Sequence, residues 1–311
     1  MGLGKVVERK GSDSTRREVL RQFLGAAAAV PLVGLPAAPF ASELSDSGPD
    51  LGLNRGQQAV PTENPVAAPA AEPVYWQPPY RNEPAIPENS VVLPILMYHR
   101  ATVSHVFEAQ LVGMLAAGYR PLSLHSALKG LMGEAELPDM PIVLTFDDGW
   151  RIQYDVVFPV LKQYKVPATF FVMPGFHERQ DGYMDWDQLT DIADFGMEVE
   201  SHTLNHADLP RLAVKDWGAV LAEVVISKQL LEERVGGTPR YFDYPLGYQN
   251  EQIRQVVQAA GYEAAVIIGP GVHQSVDALY TLRRIRVEAW DPWWSVARKL
   301  NWYGAGTSSS P

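Results

Sequence analysis

From about residue 90 onward, short apolar runs alternate along the chain with stretches whose apolar positions recur at helical spacing. Strand candidates, most of them continuous apolar runs, lie at 91–97, 142–146, 168–172, 197–201, 241–244, 264–268 and 282–287. Helices are predicted between them at 106–117, 154–164, 186–195, 214–234 and 251–260. Apolar strands that alternate with helices predict parallel pairing, with the helices covering the sheet. About seven such units in roughly 210 residues favour an α/β fold, a closed or nearly closed (β/α) barrel of parallel strands.

The first 90 residues lack this alternation. Arg16 and Arg17 precede a short apolar run at 23–35, and small residues follow it up to Ala41. A basic region, a short apolar region and a small-residue zone predict an export signal, and the paired arginines resemble a twin-arginine signal. The next segment is rich in Pro and Ala and predicts an extended linker. The expected organisation is a signal at 1–41, a linker at 42–90, a folded domain at 91–303 and a tail at 304–311.

Composition and the signal together limit the partners. The signal predicts a periplasmic or extracellular protein, which meets a membrane only if the segment is retained as an anchor. The net charge of −10 argues against a nucleic-acid partner, because such proteins carry basic patches, and it suits a neutral polymer. The sequence contains no Cys, which excludes thiolate metal sites, iron–sulfur clusters and Cys nucleophiles.

Two polar loops that follow predicted strands carry the candidate chemistry. The first has the sequence TFDDGW at 145–150, and the second has ESHTLNH at 200–206. In a (β/α) barrel, functional residues lie just beyond the C-terminal ends of strands. Two adjacent carboxylates at such a place are costly to bury unless a cation compensates them. His202 and His206, four positions apart, can direct both rings to one point.

Each loop alone has an ordinary interpretation. Asp-Asp-Gly is common as a turn with a helix cap, and a pair of histidines four apart also occurs on protein surfaces. Together, at strand ends of one barrel, they favour a metal site. Two imidazoles and one carboxylate hold a divalent ion with a position open to water, and the second carboxylate can then serve as general base.

These loops also carry a family resemblance. The segments VLTFDDG at 143–149 and SHTLNH at 201–206 resemble the first two motifs of the polysaccharide deacetylases, the nodulation-type carbohydrate esterases. PATFFV at 167–172 and MDWDQL at 184–189 are similar to the same family. The resemblance covers residues 91–287.

The resemblance implies a distorted, TIM-like (β/α) barrel of about seven strands. It further implies that Asp147 is the general base, whereas Asp148, His202 and His206 hold one divalent metal. Zinc is the first expectation for that metal, with cobalt, nickel or iron as alternatives.

The third family motif is altered. Many members carry an arginine there, whereas this chain has FDYPLG at 242–247, with Asp243 in the place of that arginine. The backbone N–H of Leu246 is implied to bind the oxyanion, as in the family. The arginine that orients the base must come from elsewhere. Arg284 resembles the strand arginine of a subgroup with a Tyr-Pro third motif, and Arg286 is the fallback on the same strand.

The general acid is less clear, because the late Leu-x-His motif of the family is not visible. His99, in Met97-Tyr98-His99, matches a motif of the biofilm poly-N-acetylglucosamine deacetylases and follows a predicted strand. His273 is the alternative, in a loop-like stretch. A sugar cleft could be lined by a set of aromatic residues, although Trp is also common in cores: Trp150, Trp186, Trp290, Trp293, Trp294, Trp302 and Tyr303.

The function expected from the sequence is a metal-dependent hydrolase that removes N-acetyl groups from N-acetylglucosamine units of a cell-envelope or extracellular polysaccharide. Its substrate partner would be an N-acetylated polysaccharide or oligosaccharide. Two alternatives stay open. One is a carbohydrate-binding protein that keeps the fold without the activity, as the altered third motif suggests. The other is a related amidase or O-acetyl esterase.

Overall fold

A computed structural model describes residues 89–100, 104–176 and 182–304. The predicted export signal, almost all of the predicted linker and residues 305–311 of the predicted tail lie outside the described residues. Within the described ranges, no helix has both the length and the apolar character needed to cross a membrane.

Eleven strands are assigned in the described part of the chain. They are β1 Val91–Val92, β2 Ile95–Tyr98, β3 Arg120–Leu122, β4 Pro141–Phe146, β5 Thr169–Val172, β6 Glu198–Ser201, β7 Tyr241–Asp243, β8 Ala264–Ile267, β9 His273–Gln274, β10 Leu282–Arg283 and β11 Ile285–Arg286. The predicted strand at 91–97 is divided by Pro94, which has no N–H to donate to a neighbouring strand.

The helices of the described ranges surround this sheet. The α-helices are α1 Ser104–Ala116, α2 Leu124–Leu131, α3 Phe158–Tyr164, α4 Trp186–Asp194, α5 Leu209–Ala213, α6 Trp217–Leu221, α7 Ser227–Arg234, α8 Glu251–Ala259 and α9 Trp293–Gly304. The π-helical turns are Gln153–Val157 and Ala222–Ile226, and the 3₁₀ turns are Pro245–Gly247 and Val276–Thr281.

The main sheet closes on itself through one short stretch of chain. Its strand order is β10-β8-β7-β6-β5-β4-β2-β11, with every neighbour parallel and β3 paired to β4 in addition. Only Arg284 separates β10, at one end of this order, from β11, at the other. The stretch Leu282–Arg286 therefore joins the two edges of the sheet. This confirms the predicted α/β barrel of about seven parallel strands, with β10 and β11 counted as one.

Side chains alternate between the barrel interior and the helices. The interior core includes Ile95, Val143, Phe171 and Val266. Their strand neighbours pack outward, among them Leu144 and Phe170 in one cluster and Ala265 in another. Because the strand period is two, the next interior positions along β4 are Thr145 and then Asp147. The apolar interior thus gives way to a polar layer toward the C-terminal ends of the strands.

Helix α2 fills the opposite end of the barrel. Its Leu124 and Leu128 belong to the interior core cluster. The carboxylate of Glu198, the first residue of β6, accepts hydrogen bonds from the backbone N–H groups of Leu124 (3.0 Å) and His125 (2.9 Å). This contact ties the first turn of α2 to the start of a barrel strand, and it satisfies N–H groups that a helix leaves unpaired.

The predicted helix at 214–234 is wrong in its extent. Asp216 lies outside any helix and its side chain accepts a hydrogen bond from the N–H of Ala219, so a new helix, α6, begins at Trp217. The π-helical turn Ala222–Ile226 then interrupts the α-helical hydrogen bonding before α7. The Asp216 side chain binds a backbone N–H group in competition with a continuous helix. The apolar periodicity contains no signal for this cap or for the π-helical turn.

A core substitution in α2 tests how much this helix stabilises the barrel. Leu128 is 2% exposed inside the interior cluster. We expect Leu128→Ala to lower the free energy of unfolding by about 2–5 kcal/mol, through lost burial and the cavity it leaves. Urea denaturation followed by circular dichroism measures the change. Met132→Ala, at a position 41% exposed just after the same helix, is the matched control and should change stability by less than about 1 kcal/mol.

Candidate active site

The candidate residues meet at the C-terminal end of the barrel. Asp147 and Asp148 directly follow β4, and His202 directly follows β6. Asp243 is the last residue of β7, and Arg284 lies at the junction between β10 and β11. His99 follows β2. The structure therefore brings together residues that the sequence placed at the ends of separate strands.

Asp148, His202 and His206 form a group able to hold a metal ion. One ligand atom from each lies within 4.8 Å of the others. Oδ1 of Asp148 lies 3.5 Å from Nε2 of His202 and 3.6 Å from Nε2 of His206. This Oδ1 is buried and has no hydrogen-bond partner. A buried carboxylate oxygen without a donor, facing two imidazole nitrogens, fits a divalent cation with N and O ligands.

The backbone at this end is held in unusual conformations. Seven non-glycine residues of the described chain have positive φ, and four of them lie here: Asp148 (75°), Thr203 (63°), His206 (58°) and Leu246 (59°). Such conformations cost free energy and persist only where surrounding contacts enforce them. The two ligand-bearing loops are therefore fixed by the fold at some energetic cost.

Contacts among the three candidate ligands shift their pKa values in different directions. Burial would raise the pKa of Asp148, but its contact with His202 outweighs burial and holds that pKa below its usual range. Burial lowers the pKa of His206, and the neighbouring His202 lowers it further. Burial would also lower the pKa of His202, but Asp243 and Asp148 raise it well above its usual value. An ionised carboxylate lies beside two imidazoles, the donor set that zinc prefers.

Asp243 fixes the orientation of the His202 ring. Nδ1 of His202 lies 3.0 Å from the backbone oxygen of Asp243 and 3.0 Å from its carboxylate Oδ2. With Nδ1 engaged, Nε2 is left to face Asp148. A second partner on the far nitrogen of a ligand histidine sets its tautomer and its ring orientation.

Arg284 contacts the carboxylates of both Asp147 and Asp243. Its Nη1 donates to Oδ1 of Asp147 at 2.7 Å and to the hydroxyl of Thr145 at 3.1 Å. Its Nη2 donates to Oδ1 of Asp243 at 2.7 Å. The arginine is 1% exposed, so both ion pairs are buried. Arg284, from the stretch that joins both edges of the sheet, therefore lies between Asp147 and Asp243.

The pKa values of the two carboxyl groups that share this guanidinium are shifted in opposite directions. Burial raises the pKa of Asp147 to about 8, although Arg284 opposes this effect. Burial would raise the pKa of Asp243 as well, but the charges of Arg284 and His202 outweigh it and lower that pKa. Two neighbouring carboxyl groups commonly differ in pKa in this way, because ionisation of one disfavours ionisation of the other.

The alternatives that the sequence left open fall at different places. Nε2 of His99 lies 3.9 Å from Oδ2 of Asp147, and burial lowers the pKa of His99 to about 4. His273 pairs with Val92 in the β1–β9 ladder, beside the start of β2, at the other end of the barrel. Arg286 is exposed and pairs with Glu288 at 2.7 Å. Of the two candidate histidines, His99 lies at the site. Of the two candidate arginines, Arg284 does.

Leu246 occupies the tight turn Pro245–Gly247 directly after Asp243 and Tyr244. Gly247 has φ of 73°, and a Cβ built there would lie 2.7 Å from the backbone nitrogen of Ile268. This close approach holds the turn against the segment that follows β8. The implied oxyanion-binding role of the Leu246 N–H stays a prediction.

Two supports of the histidine loop were not anticipated from the sequence. Glu223, in the π-helical turn, accepts hydrogen bonds from the backbone N–H and the side-chain amide of Asn205, each at 2.8 Å. Gly175 lies so close to the same loop that a Cβ there would be 2.4 Å from the carbonyl oxygen of Leu204. Neither residue belongs to a recognised motif, and the contact with Glu223 spans 18 positions.

The aromatic residues predicted for a sugar cleft differ in exposure within the described part of the chain. Trp290 and Trp294 are 74% and 61% exposed, and Trp302 is 50% exposed. Trp293 is half-buried against α1, where a Cβ on Gly113 would overlap its ring. The side chain of Tyr303 lies outside the described residues. That Trp290 and Trp294 line a sugar cleft stays a prediction.

Removing the guanidinium tests its role as the shared partner of two buried carboxylates. We expect Arg284→Met to lower the free energy of unfolding by about 3–5 kcal/mol, because it leaves Asp147 and Asp243 without their cation. Arg286→Met is the matched control, since it breaks only an exposed pair and should cost less than about 1 kcal/mol. Urea denaturation of both variants gives the comparison. Equal stability of the two would contradict the shared role.

Removing the loop anchor tests whether Glu223 supports the ligand histidines. We expect Glu223→Ala to raise the Kd for Co²⁺ about 10–100-fold, because His206 follows the released Asn205 directly. Competition with a chromophoric chelator measures the Kd. Glu233→Ala, at an exposed position of α7, serves as the control. An unchanged Kd in Glu223→Ala would show that the loop holds its shape without this contact.

Comparisons with known proteins agree with this geometry. Residues 134–265 match the family model described as polysaccharide deacetylase. YxkH of Bacillus subtilis, a protein named after the same family, is 29% identical over 207 residues, which cover 64% of this chain and 73% of YxkH. The poly-beta-1,6-N-acetyl-D-glucosamine N-deacetylase of Staphylococcus aureus is 24% identical over 139 residues, which cover 41% of this chain and 48% of that protein.

A solved structure shares the fold over the same region. The Streptococcus pyogenes deacetylase PplD, in complex with acetate, matches with a TM-score of 0.62 and 26% identity, over 68% of this chain and 99% of PplD. The chain spans about half the length of the Staphylococcus aureus relative. Family model, relatives and fold agree with the motifs at 143–149 and 201–206. Residues 134–265 therefore match the polysaccharide deacetylase family, and the barrel that contains them is similar to a solved deacetylase structure.

Proposed function

We propose that the domain is a metal-dependent hydrolase that removes N-acetyl groups from N-acetylglucosamine units of a cell-envelope or extracellular polysaccharide. The observation that carries this proposal is the convergence of Asp148, His202 and His206 within 4.8 Å, beside an Asp147 that is held by Arg284. The name of the Staphylococcus aureus relative, an N-deacetylase of poly-N-acetylglucosamine, supports this substrate class.

In this mechanism Asp148, His202 and His206 would hold one divalent ion, with zinc the first expectation for this donor set. The ion would supply Lewis-acid polarisation of the acetamide carbonyl and activation of a water molecule. Asp147 removes a proton from the attacking water as general base. Arg284 keeps that carboxylate in one orientation through the 2.7 Å contact between Nη1 and Oδ1.

The remaining steps need an oxyanion donor and a proton for the departing amine. The backbone N–H of Leu246 is the proposed donor to the oxyanion, in the turn that follows the strand carrying Asp243. The proton that Asp147 has accepted can be returned to the amine. His99, with Nε2 3.9 Å from Asp147, is the second candidate for this delivery.

The setting of this activity is proposed to be outside the cytoplasm. The twin-arginine-like segment at 1–41 supports a periplasmic or extracellular location, where an N-acetylated polymer would be met. The acidic net charge of −10 suits a polymer that becomes cationic as amines are released.

Two substitutions separate base chemistry from ligand binding. We expect Asp147→Asn to retain the metal and lose at least about 100-fold in turnover, because an amide cannot accept the proton. His202→Ala should lose both the metal and the activity, because it removes a ligand. Acetate released from an N-acetylglucosamine oligomer in the presence of Zn²⁺ or Co²⁺ measures turnover, and metal analysis of the dialysed protein measures retention.

The same assay separates the proposal from its rivals. Acetate release by the unmodified chain, abolished by a chelator and restored by metal, is the expected result. Sugar binding without acetate release would instead indicate a carbohydrate-binding protein of the same fold. Release from an O-acetylated sugar but not from an N-acetylated one would indicate an esterase.

A further inference from the structure

Trp150 contacts the carboxylate of the candidate metal ligand Asp148. The indole Nε1 donates a hydrogen bond to Oδ2 of Asp148 at 2.9 Å. The other oxygen, Oδ1, is the one that faces Nε2 of His202 and Nε2 of His206. The two oxygens of one carboxylate are thereby given different partners.

The indole ring is held on both faces. The guanidinium carbon of Arg100 lies 3.7 Å from its centroid, and the ring of Tyr183 stacks on it at 4.4 Å with an interplanar angle of 21°. Two groups this close to one ring must lie on opposite faces, since they would overlap on one. Tyr183 in turn stacks on Phe176 at 5.2 Å.

The backbone holds the same arrangement. Trp150 and Tyr183 form an antiparallel bridge. The N–H of Met184 donates to the carbonyl of Gly149 at 2.9 Å, and the N–H of Arg151 donates to that of Gly182 at 2.8 Å. The direction of the indole N–H is therefore fixed by stacking and by backbone pairing together. A ring covered on both faces also offers no platform for a sugar, contrary to the expectation for Trp150 from sequence.

We propose that Trp150 is a positioning residue that makes Asp148 a one-oxygen metal ligand. This inference rests on the proposed function, since it concerns the same metal site. A carboxylate with both oxygens available can rotate and occupy two coordination positions. With Oδ2 engaged by the indole N–H, Asp148 would offer a metal ion only Oδ1, the oxygen that faces His202 and His206.

The test removes the N–H and keeps an aromatic ring. Trp150→Phe in the full chain should raise the Kd for Co²⁺ about 10–100-fold, the usual effect of losing a partner of a metal ligand. It should also change the visible absorption spectrum of the Co²⁺ form, which reports coordination geometry. Trp217→Phe makes the same substitution at a position 40% exposed and outside the candidate site, and both readouts should remain those of the unmodified chain.

A second variant separates the hydrogen bond from the ring stack. Incorporation of benzothienylalanine at position 150 replaces the indole N–H by sulfur in a ring of nearly the same shape, so it should reproduce both changes with the fold intact by circular dichroism. Kd and spectrum like those of the unmodified chain in this variant would overturn the inference. Failure of the unmodified chain to bind Co²⁺ would overturn the proposed function as well, and so the two failures are distinguishable.

Discussion

The site depends on the ion pairs that the buried guanidinium of Arg284 forms with Asp147 and Asp243. Arg284 is 1% exposed, and a buried cation of this kind is tolerated only when it is paired and hydrogen-bonded. Its partners come from β4 and β7, while Arg284 itself belongs to the stretch that joins both edges of the sheet. The contacts that compensate the buried charge therefore require the closed barrel, and one of them holds the carboxylate of Asp147.

The altered third motif is explained by this arrangement. An aspartate at position 243 would leave Asp147 without its arginine if no other cation were near. Arg284 supplies the cation, and Asp243 then contacts both that guanidinium and Nδ1 of His202. The altered third motif raised the alternative of an inactive carbohydrate-binding protein. The structure supplies an arginine for Asp147 nevertheless, from the stretch that closes the barrel. Through Arg284 and Asp243, buried contacts also connect Asp147 with His202.

Much of the fold could be predicted because apolar strands and helical periods are local signals. Asp148, His202 and His206 could be predicted as candidate ligands because each belongs to a short motif at a strand end, and the structure brings one ligand atom of each within 4.8 Å of the others. Helix α2 and strand β3 were not predicted, since α2 is short and its packing inside the barrel depends on long-range contacts such as Glu198 with Leu124. The supports Glu223 and Trp150 were missed in those roles for a related reason. A hydrogen bond across 18 positions, or a ring held between two loops, leaves no periodic trace in the sequence.

The two ends of the barrel serve separate purposes. Apolar residues and α2 fill the end where the strands begin, and the polar layer with its ligands occupies the end where they finish. Each strand runs from the apolar end to the polar end within a few residues, at about 3.3 Å per residue. Protein engineers could therefore vary the α2 end to gain thermostability while the reactive end is left untouched. For the same reason, substitutions at the α2 end should act on the stability of the barrel, whereas substitutions at the polar end should act on the candidate site.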